Sequence, residues 1–418
     1  MTSLVSISFD TMYAMDDIKM PGYRPITNID NEEKTDIKSP EEAPSEAKIE
    51  PEQTPNKPPK PKRKFLPYFK RVHLSRKQWL IVGLVCILLI GGGVMAKNYL
   101  AKRFTKLAKE PPAKVVPKPP KPTTEPSRLT GVTVPVEMNS RPVTGIIIEN
   151  SPDARPQAGL KDAGILYEAI AEGGITRFLA LYQEAQPDYI GPVRSARPYY
   201  LDWLMPFEAA IAHVGGSPEA LAQIKSLGVR DLDQFANSGA YQRISKRYAP
   251  HNVYTSMAQM DALQKAKGYT SSKFTSYTRK KDAPNATPTA RSIDFALSGF
   301  LYNPHYDYDA ATNSYKRSQG GKPHTDEKSG AQLQPKVVIA LVMAYAIQSD
   351  GKHSEYTTTG SGVMFVFQDG VVTQGTWTKP DRKAPFKFTD ANGAVLKLNA
   401  GQTWITAVGL QTGVTYKP

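Results

Sequence analysis

Trp79–Ala96 reads WLIVGLVCILLIGGGVMA, eighteen residues without a charge. That is close to the shortest stretch that crosses a bilayer as a helix, and Asn98–Leu100 lengthen it at the interface, so a membrane span over residues 79–100 is predicted. A buried core helix would not carry Lys and Arg on both flanks, yet residues 59–78 hold eight and residues 97–116 hold six. A cleaved signal peptide is a poor match, because the apolar run begins about 50 residues too late. A lipid-modified Cys is also a poor match, because Val85 precedes Cys86 where a small residue is wanted. The surplus of cations before the span orients the N-terminus to the cytoplasm and the C-terminal part outside.

Working outward from the span, the charge is placed for a membrane and not for nucleic acid. Of the net +14, residues 1–127 carry 22 Lys+Arg against 14 Asp+Glu, and residues 128–418 carry 31 against 25. Residues 1–56 are acidic, lack an apolar period and read as a disordered cytoplasmic tail. Residues 57–78 form a basic juxtamembrane segment that either only fixes topology or also touches anionic lipid headgroups. Residues 101–127 read as a Pro/Lys-rich stalk, with seven Pro between 110 and 126 that favour an extended spacer. A single Cys excludes a disulfide framework and a Cys-based zinc site. Six scattered His match no strong metal motif, so neither a metal nor a cofactor is expected.

From residue 128 the pattern turns globular, and the fold class is α+β. Residues 128–290 read as a mixed α/β domain. Val143–Ile148, Arg177–Gln183 and Ala209–His213 are strand-like, and Ser217–Leu227 and Met257–Lys267 are helices closed by Gly228 and Gly268. Ser217 is a good N-cap and Pro218 suits the first helical position. Residues 291–418 read as a smaller, mainly antiparallel β domain. Its runs are Tyr315–Ser318, Val337–Ala344, Val363–Phe367, Val371–Trp377, Val395–Leu398 and Trp404–Val408, with Asp369-Gly370 as a hairpin turn.

Three groups of residues are candidates for chemistry. Glu168 and Glu172 share a face on a helix and on a strand alike. A helix would hold them about 5–6 Å apart at Cβ, as a carboxylate pair for acid–base work. A strand would separate them by about 13 Å. Arg194 and Arg197, flanking Ser195 and joined by Arg177, form a set of donors for a carboxylate or phosphate, or else pair with the two Glu. In His213-Val214-Gly215-Gly216-Ser217 a strand gives way to a helix N-terminus, where free N–H groups favour anions. There His213 is a candidate acid or base. His251 and Asn252 in the APHN run are a weaker second pair. His305, Asp307 and Asp309 alternate, so a strand would line them on one face, while turn chemistry accounts for the Asp and Asn residues of YDYDAATNSY, and His324 with Asp326 forms a further His/Asp pair.

The runs IIIENSPDARPQAGLKDAGILYEAIAEGGITRFLALYQ, IGPVRSARPYYLDW, AHVGGSPEAL and APHNVY resemble the YerB-like family of bacterial envelope proteins. So do the later runs YKRSQGGKPHTD, GSGVMFVFQDG, GTWTKP and LNAGQTWI. The resemblance covers about residues 128–418. It implies an extracytoplasmic location and a two-part fold, and it supplies no catalytic residue. A membrane helix stands here where the family has a lipid-modified Cys.

Three functions are compatible with these residues. The leading expectation is a single-pass envelope protein that binds an anionic or saccharide component, such as an anionic glycan or wall fragment, through Arg177, Arg194, Ser195, Arg197, Gly215, Gly216, Ser217 and Asn252. The second is an envelope hydrolase or transferase using Glu168 or Glu172 with His213 or His251. The third is an interaction scaffold for an envelope protein.

Overall fold

The computed structural model describes residues 75–107 and 122–418. The expected tail 1–56, most of the basic segment 57–78 and the middle of the expected stalk lie outside the described residues. One helix, Arg76–Leu107, is long and apolar enough to cross a membrane. It overruns the expected 79–100 span at both ends, so its last turns are helical and not stalk. Trp79 and Tyr99 stand twenty residues apart, about 30 Å along a helix axis, which matches the hydrocarbon thickness of a bilayer.

The C-terminal unit is mostly β-sheet with a few short helices. Its frame is a ten-stranded mixed sheet. Five strands come from the first half of the unit: Thr144–Glu149, Ile165–Glu172, Ile175–Tyr182, Ala210–Ala212 and Arg230–Asp231. Five come from the second: Val337–Val342, Gly360–Gln368, Val371–Lys379, Lys387–Asp390 and Thr403–Val408. The two sets meet at one parallel ladder, in which Thr403, Trp404, Ile405 and Thr406 pair with Ile165, Leu166, Tyr167 and Glu168. The expected boundary near residue 290 is therefore a boundary in sequence and not a break in the sheet. The expected stalk also ends earlier than 127, because Thr124–Pro126 pairs with Thr133–Pro135.

Strand alternation sorts the side chains onto two faces. On one face Tyr167, Ala169, Leu179, Ile339 and Ile405 form a core continuous across both halves, under the helix Pro198–Leu204. On the other face the core is divided. Leu166, Phe178, Ala180 and Trp404 form its first part. In the second part Val338, Ala340, Phe365 and Phe367 pack against a five-stranded antiparallel sheet through Ile293, Phe295, Tyr306 and Tyr315. That second sheet runs in the order Lys322–Pro323, Ser314–Gln319, Pro304–Asp309, Ser292–Phe295, Val414–Lys417.

Local signals place several elements. Ser217 Oγ accepts from Ala220 N at 3.3 Å and starts the helix Pro218–Ser226. Ser256 Oγ does the same for Met257–Ala266 through Gln259 N at 3.2 Å. Asp369 and Gly370 take positive φ, 57° and 76°, and close the hairpin between Gly360–Gln368 and Val371–Lys379. Residues 304–309 form the strand that the alternation of His305, Asp307 and Asp309 allows, with Tyr306 buried while His305 and Asp307 face out. One expectation is corrected. The run 395–398 contributes only the short strand Leu398–Asn399, which pairs with Arg279–Lys280.

The hairpin turn allows a direct comparison. At Gly370 an added Cβ would lie 2.7 Å from Tyr308 Cε1, whereas at Gly393 (φ 80°) nothing lies within 4 Å. Gly393→Ala should cost only the left-handed backbone penalty, about 1–2 kcal/mol. Gly370→Ala should lose a further amount of about 1–3 kcal/mol from overpacking. Urea unfolding midpoints of the two variants at equal slope check this.

Candidate functional site

The two carboxylates of the YEAIAE run do not form a pair. Both lie on the strand Ile165–Glu172, whose pairing with Ile175–Tyr182 shifts between Ile170 and Glu172. A bulge of this kind inserts one residue and reverses the alternation beyond it. Glu168 consequently joins Trp404 and Arg317 on one face, while Glu172 meets Arg177 and Arg197.

Glu172 accounts for two of the three expected ligand-binding arginines. Arg197 Nε donates to Glu172 Oε2 at 3.0 Å, and Arg177 Nη2 bonds the other oxygen. Each also donates to a backbone carbonyl: Arg177 Nη1 to Ser195 O at 3.1 Å, and Arg197 Nη1 to Ala196 O at 2.7 Å. Burial would raise the Glu172 carboxyl, but the charges of Arg177 and Arg197 outweigh it and hold the group below the usual carboxylate range. Ser195 contributes a carbonyl here, and the three side chains form a closed ion-pair cluster.

Glu168 and Arg317 form a fully buried ion pair between the sheets, with both side chains 0% exposed. Arg317 Nη2 reaches the two Glu168 oxygens at 3.0 and 3.1 Å. Trp404 Nε1 and Thr176 Oγ1 also donate to this carboxylate, at 3.0 and 3.3 Å. The guanidinium lies 4.5 Å from the Trp404 ring centroid. Burial raises the Glu168 carboxyl, and Arg317, Trp404 and Thr176 oppose the rise.

The pair continues to His324. Arg317 Nε donates to His324 Nδ1 at 3.0 Å, so the imidazole proton sits on Nε2 and points to Gln157 Oε1 at 2.7 Å. Burial first, then the charges of Arg317 and Arg155, push His324 well below its ordinary pKa and keep it neutral. Gln157 Nε2 passes the network to Asn150 Oδ1 at 2.9 Å.

Above this network opens a cleft of about 490 Å³, and His324 and Gln319 lie in its wall. Its charged lining groups are Arg155 and Lys322, with no Asp or Glu among them. Arg155 is held by Asn150, from Nε to Oδ1 at 3.1 Å and from Nη2 to the carbonyl at 2.8 Å, and its guanidinium stacks 5.3 Å from the Tyr302 ring centroid. Among the described residues no carboxylate lies within 4.0 Å of Arg155, and its Nη1 makes no hydrogen bond. Burial, then the charge of Arg317, lowers its pKa from the ordinary arginine value. A fixed guanidinium without an internal counter-ion is suited to an external anion.

The other expected residues divide between one dyad and several structural roles. Arg194 and His251 come together on Glu149, which is buried. His251 Nδ1 lies 3.0 Å from Glu149 Oε2, Arg194 Nε lies 3.3 Å from Oε1, and Ser151 Oγ donates to Oε1 at 3.0 Å. This leaves His251 Nε2 facing outward, 4.0 Å from the exposed Asp153 carboxylate. Ser151 sits on the Nδ1 side, so Glu149, His251 and Ser151 do not have the order of a nucleophilic triad. His213 is wholly buried, with Nδ1 2.7 Å from Gly215 O and Nε2 3.0 Å from Asp231 Oδ1. Gly215 N–H donates to Asp233 Oδ1 at 2.9 Å, Gly216 bridges to Ala196, and Ser217 caps its own helix. Asn252 accepts from Arg243 at 2.8 Å. Of the N–H groups in the loop expected to offer them, those of Val214, Gly215 and Ser217 are bonded within the fold. Glu149, Arg155, Arg317 and Trp404 gather at these two places without having been picked out from the sequence, and His324, read there as half of a His/Asp pair, joins Arg317 instead.

Comparison with known proteins gives a consistent result. Residues 129–270 match the N-terminal domain, and residues 293–405 the C-terminal domain, described as Protein of unknown function (DUF3048). "Putative lipoprotein YerB" of Bacillus subtilis (strain 168) is 31% identical over 287 residues, 67% of this chain and 85% of that protein. The crystal structure of YerB protein from Bacillus subtilis is similar with a TM-score of 0.64 at 28% identity, and covers 70% of this chain and 99% of that one.

Two predictions follow from the buried network. Glu168→Gln leaves Arg317 without its counter-charge and should destabilise the unit by about 3–5 kcal/mol, as should Arg317→Met. Together the two changes should cost less than their sum, with a coupling of about 2–3 kcal/mol in a denaturation cycle. His324 governs an acid limb. Because its folded pKa is depressed, its contribution is present above the unfolded value of about 6.5 and is lost as pH falls below that value. His324→Gln, which keeps an acceptor and a donor, should flatten the fall in stability between pH 6.5 and 5 by about 1.4 kcal/mol per pH unit, read from melting or urea curves across that range.

Proposed function

Since the chain belongs to the YerB-like DUF3048 family, we propose that it is a membrane-anchored, extracytoplasmic protein whose C-terminal unit binds an anionic component of the cell envelope. The anchor is the helix Arg76–Leu107, which takes the tethering role that a lipid has in a lipoprotein. The eight cations before the span against the six after it support a cytoplasmic N-terminal tail. The binding position is the cleft of Arg155 and Lys322. The observation that carries the reading is Arg155, fixed by Asn150 and Tyr302 and lacking a carboxylate partner. Arg177 and Arg197 are not assigned to binding, because Glu172 already neutralises them.

The test is co-sedimentation of the full chain in detergent with purified Gram-positive cell walls at low and high salt. Retention should be salt-sensitive, since a partly exposed ion contact is screened beyond a Debye length of about 8–10 Å. Arg155→Ala and the exposed Lys322→Ala should each weaken retention by about tenfold, the equivalent of one charge-assisted contact. Wild-type protein that fails to sediment at either salt, or an Arg155→Ala, Lys322→Ala double variant that sediments as well as wild type, removes the reading.

A further inference from the structure

We propose that the anionic component is a saccharide chain, bound across the Arg155 cleft and a second cleft beside it; this rests on the anion reading above and specifies its ligand. The second cleft has a volume of about 480 Å³ and shares Gln319 and Gly320 with the first. Where the two join stand Phe300 and Leu301, 71% and 47% exposed. The Phe300 ring rests on the Gly320-Gly321 turn, so closely that a Cβ on Gly321 (φ 73°) would come within 3.0 Å of its Cζ. The turn therefore fixes one side of the ring and leaves the rest open to solvent.

The floor of the second cleft is the outer face of the five-stranded sheet. Strand register aligns Ser318, His305, Asp294 and Thr415 in one row across four adjacent strands. Three strand spacings give this row a length of roughly 14 Å. His305 is tied at both ring nitrogens, to Asp294 at 2.8 Å and to Asp307 at 3.1 Å. The row offers hydroxyl and carboxylate oxygens at solvent-accessible positions.

The chemistry changes along the groove. One end carries cations without acids, the middle an aromatic and an aliphatic side chain, and the far end the Asp294 carboxylate, His305 and hydroxyls. A free phosphate uses only the first part. A uniform polyanion is repelled by Asp294 and Asp307, and a lipid tail uses neither polar end. A saccharide chain bearing phosphate or carboxylate uses all three. Its charge pairs with Arg155 and Lys322, the apolar face of a sugar ring covers Phe300, and its hydroxyls donate to the acidic row.

The experiment uses the full chain in detergent, the same cell walls, and soluble polyphosphate as a sugar-free competitor. Phe300→Ala removes an exposed ring, and Asp294→Asn keeps the shape of an exposed side chain, so both variants should retain wild-type melting. Each should lower wall retention by about tenfold, the loss of one aromatic or one hydrogen-bonded contact, and polyphosphate should compete poorly. If both variants sediment as wild type while Arg155→Ala does not, and polyphosphate competes fully, the site takes an anion without a sugar and the inference is overturned. If Arg155→Ala also sediments as wild type, the anion reading fails and this inference fails with it.

Discussion

The Glu168–Arg317 ion pair is the contact on which the arrangement of the C-terminal unit depends. Taking two charges out of water is expensive, and mutual attraction repays it only when the remaining donors and acceptors are also satisfied. Here Trp404, Thr176, Tyr306, Gln319 and His324 meet that demand. The partners come from both halves of the chain and from both sheets. The seam between the halves is a single parallel ladder, 403–406 on 165–168, so the polar contacts around Glu168 specify its register as well as its closure. A slip of one residue would turn Glu168 toward the apolar core formed by Tyr167 and Ala169.

The same network supports the cleft. His324 and Gln319 belong both to the hydrogen bonds around Arg317 and to the cleft wall. Asn150, reached through Gln157, holds Arg155 by two hydrogen bonds. The position of the Arg155 guanidinium is thus inherited from the buried core and not left to a mobile surface chain. A preorganised donor loses little side-chain freedom when a ligand arrives.

What could be read from the sequence was local. The Ser217 cap, the Gly228 and Gly268 stops and the Asp369-Gly370 turn each depend on one or two residues, and each is found in place. The Glu168/Glu172 spacing fits helix and strand equally. The bulge that separates the two is set by cross-strand pairing and leaves no mark in a window of five residues. Arg194 and Arg197 are three apart, but extended backbone at Arg197 turns them to different carboxylates, Glu149 and Glu172. The cleft itself unites Arg155 with His324, 169 positions later. Without an alignment, no pattern within one sequence joins such a pair. The family resemblance located both segments, in the runs SPDARPQ and GGKPHTD, without stating that they touch.

The contrast between the arginines explains why binding is assigned to Arg155. Arg177, Arg194, Arg197 and Arg317 all contact a Glu. Their charges are neutralised within the fold, and an incoming anion would have to displace a carboxylate already held by several donors. Arg155 is partly buried, which disfavours its charge, yet its direct contacts are an amide, a carbonyl and a ring face. A carboxylate in the same place would relieve that penalty and would also fill the position that a ligand must take. The fold supplies counter-ions to those four and leaves Arg155, in the wall of a cleft, with neutral close partners, an arrangement that an external anion would complete.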